Sequence, residues 1–600
     1  MIKKYTLLFF LLPLFIQAQT IEFESAITPD LSGYTGVPEF AGLGEYEIFL
    51  DTDTGVLDKP IILVDGFDPG DGRTISGLYN LLDFTGSEGQ QNLADLVRAQ
   101  GFDVVILNFP SYFRLTDNSL LNIDDATDNN ADLVIDELDY PGSTLVDGGA
   151  DFMERNAMLL VDLITTLNTD KVGDEELVII GPSMGGLISR FALNYMENQT
   201  LDHETRLFIS FDSPHLGANI PLGFQHQFNF LANGLGNDLN ITALQPIVNG
   251  LLKSAAARQL LVDHFEAHLV SGSDAEFDPT KLLPEAHPYR AVFENNINSL
   301  TATGFPQNTR NVSMINGSGI GSPYLAIDNT PVTPGFVALA VQDLPIPTSP
   351  LPQTTADINI NLTPATVDGP QLISKIFVEG FFLFGFITLV DVEVQAEAPS
   401  FSDGVDAASG GLFNLSGFTA GLGGDPIIDS FLTSLTIDKF NFIPSVSAMA
   451  LDSNPVGEND WFHDIDLGTP EGTGDTLNST PFVNWYMPDD NEDHVQLTEQ
   501  NVAFALSEII PETLSNIEFE NITSLKIEKN PIEDNLTILS NKVVDGVTIT
   551  AFDITGKSVF VSQQTLERRT TLPLNLETGL YILNIQTKDN YNYRTKVVVK

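Results

Sequence analysis

Short apolar runs and amphipathic stretches alternate over the first third of the chain. The apolar runs lie at residues 60–64, 102–109, 177–180 and 207–211. Runs of this length are typical of central strands in a parallel sheet, where both faces are buried. Apolar residues at helical spacing follow the third run and also fill 93–99 and 150–168. The order of these elements predicts a doubly wound α/β sheet.

Two long insertions are predicted in the middle of the chain. Residues 229–269 are moderately apolar with helical spacing, whereas 331–437 are rich in Pro, Thr, Gly and β-branched residues. The second stretch is expected to be a β-rich insertion, with a hairpin within 375–397. Core strands are expected at 312–315, before this insertion, and at 442–448, after it. An amphipathic helix is expected at 497–509.

The character of the chain changes after Thr513. Residues 524–600 consist of short apolar or alternating runs separated by turn sequences such as Asn530-Pro531 and Asp545-Gly546. This pattern predicts a small C-terminal β-sandwich. The expected organisation is therefore a leader at 1–18, an α/β domain at 19–512 and the sandwich at 524–600.

Composition narrows the classes of function. The first 18 residues carry Lys3, Lys4 and an apolar run at 7–16, and are expected to be a secretory signal peptide. There is no cysteine, which excludes disulfides, thiolate metal sites and thiol nucleophiles. A net charge of −54 disfavours nucleic acid and anionic membranes as partners.

The third apolar run leads directly into the sequence Gly181-Pro182-Ser183-Met184-Gly185, which matches G-x-S-x-G. Strand, tight turn and helix follow each other as a nucleophile elbow requires. Glycines at both ends of the motif leave space where a Cβ would clash with the tightly folded chain. Ser183, at a helix N-terminus that favours developing negative charge, is the expected nucleophile.

The sequences GPSMGG at 181–186 and SPHLG at 213–217 resemble those of the lipase-like branch of the α/β-hydrolases. The resemblance implies an ester hydrolase whose oxyanion hole is formed by the backbone N–H groups of Phe67 and Met184. Asp65 stands where many of these enzymes have histidine. The resemblance further implies a structural role for His215 and a lid or cap formed by 229–269.

The base is expected to be His494, because it is the last of the eight histidines and precedes the final helix, as the order Ser, acid, His requires. His463 is the alternative. The acid is less determined, because the loop after 312–315 has no aspartate before Asp328. Asp452 is preferred since it follows a strand-like segment near His494, and the alternatives are Asp328, Asp438 and Asp212.

The C-terminal sandwich resembles the sorting domain of the type IX secretion system of Bacteroidetes. The matching sequences are Asn530-Pro531, Asp534-Asn535-Leu536, Asp553-Ile554-Thr555-Gly556-Lys557, Gly579-Leu580-Tyr581 and the strand ending at Lys600. The resemblance implies that the type IX secretion machinery is a partner and that the protein is secreted or exposed on the cell surface.

Together these patterns predict an exported serine hydrolase acting on carboxylic esters, with a lipid or a polyester as substrate classes. No cofactor and no catalytic metal are expected, although the sequence leaves room for a structural calcium ion. The alternative from another class is a catalytically silent α/β-hydrolase fold that serves as a surface-binding or adhesion module. Amide cleavage is a third hypothesis.

Overall fold

The computed structural model describes residues 19–235, 240–346, 349, 351–415, 432–451, 458–467, 479–510, 525–533, 535–540, 542–588 and 592–600. The expected signal peptide and the preferred acid, Asp452, lie outside these residues. The chain divides into two compact units, Met1–Ile510 and Pro511–Lys600. No helix in the described part of the chain is long and apolar enough to cross a membrane.

The described strands of the first unit are, in chain order, β1 (Ile21–Glu24), β2 (Leu43–Phe49), β3 (Pro60–Val64), β4 (Asp83–Gly86), β5 (Gly89–Asn92), β6 (Asp103–Asn108), β7 (Ser111–Arg114), β8 (Leu120–Asn122), β9 (Thr144–Asp147), β10 (Leu177–Pro182), β11 (Thr205–Phe211), β12 (Arg310–Met314), β13 (Val337–Pro345), β14 (Thr355–Asn361), β15 (Gln371–Phe382), β16 (Gly385–Ala396), β17 (Gly410–Asn414), β18 (Lys439–Pro444) and β19 (Asn484–Tyr486). The described α-helices are α1 (Ile75–Asn80), α2 (Leu93–Arg98), α3 (Met153–Asp170), α4 (Met184–Asn198), α5 (Leu222–Asn229), α6 (Ala255–Leu260), α7 (Pro288–Ser299), α8 (Ser445–Ala448) and α9 (Glu499–Ile509).

The main sheet has the strand order β1-β2-β6-β3-β10-β11-β12-β19. The strands from β6 to β19 pair in parallel, and β1 and β2 are antiparallel additions at one edge. Alternate residues of β3 belong to different clusters: Ile62 and Val64 pack with α3 and α4, whereas Ile61 and Leu63 pack with α1, α2 and α9. Burial on both faces explains the continuous apolar runs. The predicted doubly wound α/β-hydrolase fold is confirmed.

The β-rich insertion is also confirmed, as an antiparallel sheet of order β13-β14-β15-β16. The prediction at 442–448 was wrong in one respect. Residues of this apolar segment form the end of β18, which pairs with β17 outside the main sheet. The last main-sheet strand is the short β19 instead, beside β12.

The helical prediction for 229–269 holds only in pieces. After α5, the chain forms π-helical turns at Phe230–Gly234 and Ile247–Leu252, the α-helix α6 and short 3₁₀ turns at Thr242–Leu244 and Phe265–His268. Residues 236–239 within this stretch lie outside the described part. Gly234 ends the first π-helical turn and Pro246 precedes the second, and both residue types weaken a continuous helix.

The second unit is a β-sandwich, as predicted. Its strands are β20 (Leu525–Ile527), β21 (Asn535–Ser540), β22 (Val544–Phe552), β23 (Ser558–Leu566), β24 (Arg569–Pro573), β25 (Gly579–Gln586) and β26 (Asn592–Val599). They form two antiparallel sheets of order β20-β21-β24 and β23-β22-β25-β26. A separate core that includes Leu536, Ile549 and Leu583 lies within this unit.

Candidate active site

Ser183 lies on a sharp turn between β10 and α4. Its φ of 53° and ψ of −130° place the backbone in a region that non-glycine residues rarely adopt. A Cβ on Gly181 would lie 2.5 Å from the Cα of Gly186, and one on Gly185 would lie 2.4 Å from the carbonyl oxygen of Val64. The two glycines of the motif are therefore required by the close approach of backbone to backbone.

His494 joins Ser183 and Asp212 in a chain of hydrogen bonds. Its Nε2 is 2.8 Å from the Ser183 Oγ, and its Nδ1 is 2.7 Å from Oδ2 of Asp212. Asp212 follows β11, the neighbour of the elbow strand, and its side chain is fully buried. The Asn316 backbone N–H donates to the other Asp212 oxygen at 3.0 Å. This is the arrangement by which a serine hydroxyl is activated in serine hydrolases.

The structure places Asp212, rather than the preferred Asp452, beside the imidazole. Asp452 is outside the described residues. Asp212 occupies the place beside Nδ1 of His494 where Asp452 was expected. The other two alternatives, Asp328 and Asp438, are exposed, and Asp328 accepts a hydrogen bond within its own turn. The physical reason is topological, since neighbouring parallel strands bring Ser183 and Asp212 to the same sheet edge.

Strand β17 holds the loop that carries His494. The His494 backbone N–H donates to the carbonyl oxygen of Leu412 at 2.8 Å, and the Leu412 N–H donates to Glu492 at 2.9 Å. The Phe442 ring of β18 packs edge-on against the imidazole, with centroids 5.0 Å apart. The two strands that make these contacts, β17 and β18, lie on either side of residues 416–431 in the sequence. Spacing along the chain could therefore not show that they contact the His494 loop.

The loop after β3 also lies close to Ser183. A Cβ on Gly66 would lie 3.2 Å from Cβ of Ser183 and 3.7 Å from the backbone nitrogen of Met184. Met184 is the first residue of α4, and first-turn N–H groups have no partner within their own helix. Gly66 and Met184 therefore lie where an oxyanion hole is expected, and Phe67 is the next residue along this loop.

Arg73 holds this loop in place and was not singled out from the sequence. Its guanidinium donates to the Phe67 carbonyl oxygen at 2.9 Å and pairs with Asp65 at 2.9 Å. Burial raises the pKa of Asp65 to about 7, although the charge of Arg73 opposes this shift. The signal that could have identified the pair is a lone arginine after an acidic, glycine-rich loop.

A small apolar cavity of about 120 Å³ opens beside Ser183 and His494. Its apolar lining includes Phe67, Leu78, Leu82, Phe211, Phe413, Phe442 and Val495, and Arg73 contributes a charged group. Residues of β17 and β18 thus form part of the wall, together with the loop after β3. The site combines an activated hydroxyl with a mostly apolar pocket, as small-molecule sites commonly do.

His215 and His463 are not part of this hydrogen-bond chain. His215 is buried, its Nε2 is 2.8 Å from Ser210 Oγ, and its ring packs against Phe305 and Phe482. Burial keeps its pKa well below the ordinary value of histidine. These contacts agree with the structural role that the resemblance implies.

One group of three acids with metal-ligand spacing occurs in the described residues, formed by Asp51, Asp58 and Asp103. Asp103 accepts backbone N–H bonds from Asp51, Asp58 and Lys59, which accounts for its burial as a loop-organising residue. The group lies where β3 and β6 begin, whereas the Ser183 site lies where β10 and β11 end. The calcium ion considered from the sequence stays a prediction.

Two protein-family models match parts of the chain. Residues 144–242, which include the elbow and Asp212, match the family described as "Putative serine esterase (DUF676)". Residues 530–600 match the "Secretion system C-terminal sorting domain". The findings support a serine hydrolase with a type IX sorting tail, and the tail indicates export to the cell surface or the medium. No curated protein matches the chain.

Solved structures of esterases are also similar to this chain. Esterase Est22 is 11% identical, with 50% of this chain and 63% of that one covered and a TM-score of 0.24. Est1E from Butyrivibrio proteoclasticus is 10% identical, with coverages of 48% and 77% and a TM-score of 0.21. XC6422 from Xanthomonas campestris, described as an a/b serine hydrolase without lid, is 14% identical, with coverages of 32% and 62% and a TM-score of 0.16. The chain thus spans less than two thirds of the length of Est22 and of XC6422.

Proposed function

We propose that this protein is an exported carboxylic-ester hydrolase with Ser183 as nucleophile, His494 as base and Asp212 as acid. The observation that carries the proposal is the unbroken hydrogen-bond chain from Ser183 Oγ through the imidazole to the buried carboxylate. Asp212 fixes the tautomer that leaves Nε2 free to accept the serine proton. A silent fold has no use for this alignment, which disfavours the binding-module hypothesis.

The reaction follows from this geometry. Ser183 Oγ attacks the ester carbonyl carbon while its proton passes to His494 Nε2, and the carbonyl electrons move onto the oxygen. The backbone N–H groups of Phe67 and Met184 donate to that oxyanion. Collapse breaks the bond to the alcohol, which leaves with the proton from His494. Water then attacks the acyl-serine in the same way and releases the acid and free Ser183.

The cavity supports a preference for short acyl groups. Its volume of about 120 Å³ is small beside the roughly 300–1,000 Å³ that is typical of small-molecule pockets. Phe211, Phe413 and Phe442 offer apolar contacts to such a group. No metal or cofactor takes part in the proposed steps. The proposed route of export uses a signal peptide at 1–18 and recognition of the C-terminal tail by the type IX machinery.

The proposal is tested with p-nitrophenyl esters of increasing acyl length and a fluorophosphonate probe. We expect turnover that is highest for short chains and labelling of the wild type. Ser183→Ala should abolish labelling and lower kcat by on the order of 10⁴-fold or more, because triad members act as a unit. The matched control is Ser299→Ala, at an exposed serine that ends α7. A wild type that neither turns over esters nor takes the label would refute the proposal, and amide turnover without ester turnover would replace it.

A further inference from the structure

The hairpin between β15 and β16 ends in an exposed apolar tip, residues 381–389. Leu383 and Phe384, the two turn residues, are 69% and 96% exposed. Phe382, Phe386, Ile387 and Leu389 are each exposed by 41% or more. Single exposed apolar residues are common on protein surfaces, but a contiguous group of this size marks a surface that contacts something else.

The turn of this hairpin is unfavourable for folding alone. Phe382 pairs with Gly385, so Leu383 and Phe384 form a two-residue connection. A two-residue connection with positive φ at its first residue favours glycine there, because a side chain is strained in that conformation. Leu383 nevertheless has a φ of 55°. The chain therefore places two large apolar side chains where a small polar pair would stabilise the hairpin, which indicates a use for the side chains themselves.

The tip is apolar on both faces. Successive residues of a strand point to opposite faces, and here consecutive residues 382–384 and 386–387 are all exposed. Their exposed area is on the order of 700 Å², or about 350 Å² on each face, from typical side-chain areas. A stable protein interface needs about 800 Å² from each partner. A second copy that covers one face of the tip therefore buries too little area.

Charge narrows the choice of partner further. Residues 380–390 contain no charged side chain, and the nearest ones along the two strands are acidic, at Glu379 and Asp391. With a net charge of −54, the protein is repelled by a second copy of itself and by anionic lipid. An uncharged apolar phase imposes no such penalty. A solid polymer contacts only one face of the hairpin, whereas a fluid lipid phase surrounds both.

We propose that the tip inserts into the surface of an uncharged lipid phase and thereby holds the enzyme at a water-insoluble substrate. The inference rests on the proposed function for the identity of that substrate as a carboxylic ester, here a water-insoluble one with short acyl groups, but adsorption itself needs no catalysis. The apolar side chains at the tip leave water on insertion, and the adsorption is driven by this burial. Glu379 and Asp391 limit the depth, since they remain hydrated.

The test uses the full chain and phosphatidylcholine vesicles. The double variant Leu383→Gly/Phe384→Asn places glycine at the position of positive φ while removing both apolar side chains of the turn. We expect it to keep or raise the melting temperature and to bind vesicles at least about tenfold more weakly than the wild type. The matched control is Val367→Asn, in the same insertion, where Val367 is 91% exposed but isolated. This control should bind like the wild type.

Each outcome decides the inference. Equal vesicle binding by the double variant and the wild type would overturn it, as would binding of the wild type only to anionic vesicles or only to a polyester film. Adsorption is measured in a Ser183→Ala background as well, where it should be unchanged. Hydrolysis of soluble p-nitrophenyl esters by the tip variant should also be unchanged. If the wild type did not hydrolyse soluble esters, that result would count against the proposed function. Vesicle binding through the tip could still be measured in that case.

Discussion

Asp212 combines complete burial with a strained backbone. Its φ is 46°, and its carboxylate accepts bonds from the Asn316 N–H and the His494 ring. A buried carboxylate is costly unless it is hydrogen-bonded or paired with a positive charge. Here the partner becomes positive only when His494 takes a proton. In the proposed mechanism, Asp212 therefore stabilises the imidazolium that forms when His494 takes the Ser183 proton.

Replacing Asp212 by asparagine should leave the fold intact and remove most activity. The amide side chain cannot enforce the tautomer that keeps Nε2 of His494 free, so we expect kcat to fall by about 10³- to 10⁴-fold with little change in KM. Steady-state kinetics on a short p-nitrophenyl ester measures this, with melting temperature as the check on folding. Asp328→Asn and Asp438→Asn serve as controls at exposed acids. Near-normal kcat in Asp212→Asn would show that another group orients His494.

The sequence allows some of these residues to be located, and physical reasons explain the rest. Ser183 is recognisable because local geometry demands small residues around it, and His494 because chain order and the final helix restrict it. Asp212 is set by which strands are neighbours, which spacing along the chain does not encode. Arg73 is harder still to identify from the sequence. Its contacts with Asp65 and the Phe67 carbonyl oxygen depend on how one loop folds back on itself.

At the scale of elements, β17 and β18 connect the insertion to the candidate site. Besides holding the His494 loop, β17 passes so close to Asp212 that a Cβ on Gly411 would lie 2.0 Å from Oδ2. The carboxylate is therefore confined between the imidazole, the Asn316 N–H and this glycine. Packing of this density transmits any added volume directly to the carboxylate.

Gly411→Ala should accordingly impair the site although it replaces none of the three residues of the hydrogen-bond chain. The added methyl must displace either β17 or Asp212, and a misplacement of about 1 Å costs on the order of 10²-fold in kcat. Gly250→Ala is the control, because a Cβ there meets no atom within 4 Å. Kinetics and thermal unfolding are compared for both variants. If Gly411→Ala retained full kcat, confinement of Asp212 by β17 would have no functional weight.

The elements themselves were predictable to different degrees. Buried strands such as β3 and β6 are nearly identical in extent to their apolar runs, because both faces demand apolar residues. Strand β18 also has buried apolar residues, Phe440 and Ile443, but pairs with β17, since apolar content shows burial and not the identity of the neighbour. The stretch 229–269 has helical spacing, but its described residues form short turns, with Gly234 ending one and Pro246 preceding another.

At the scale of the whole molecule, the two units differ in charge, and each has its own hydrophobic core. Residues 524–600 contain ten lysines and arginines against eight aspartates and glutamates, whereas the full chain has 27 against 81. The acidic surface thus belongs to the first unit. The second unit has its own buried core and matches the sorting domain over residues 530–600. Separate cores permit separate folding.

Deleting residues 511–600 should therefore separate catalysis from export. Every residue of the candidate site lies within Met1–Ile510, so the purified truncated protein should hydrolyse soluble esters within about twofold of the full chain. In a host with a type IX system, it should accumulate in the periplasm, because the part that resembles the sorting signal is gone. Activity and antibody detection in periplasmic, surface and medium fractions measure this. Full-length Ser183→Ala is the control, expected outside the cell but inactive. Truncated protein in the medium would refute the sorting role, and an inactive purified truncation would place the sandwich in the catalytic unit.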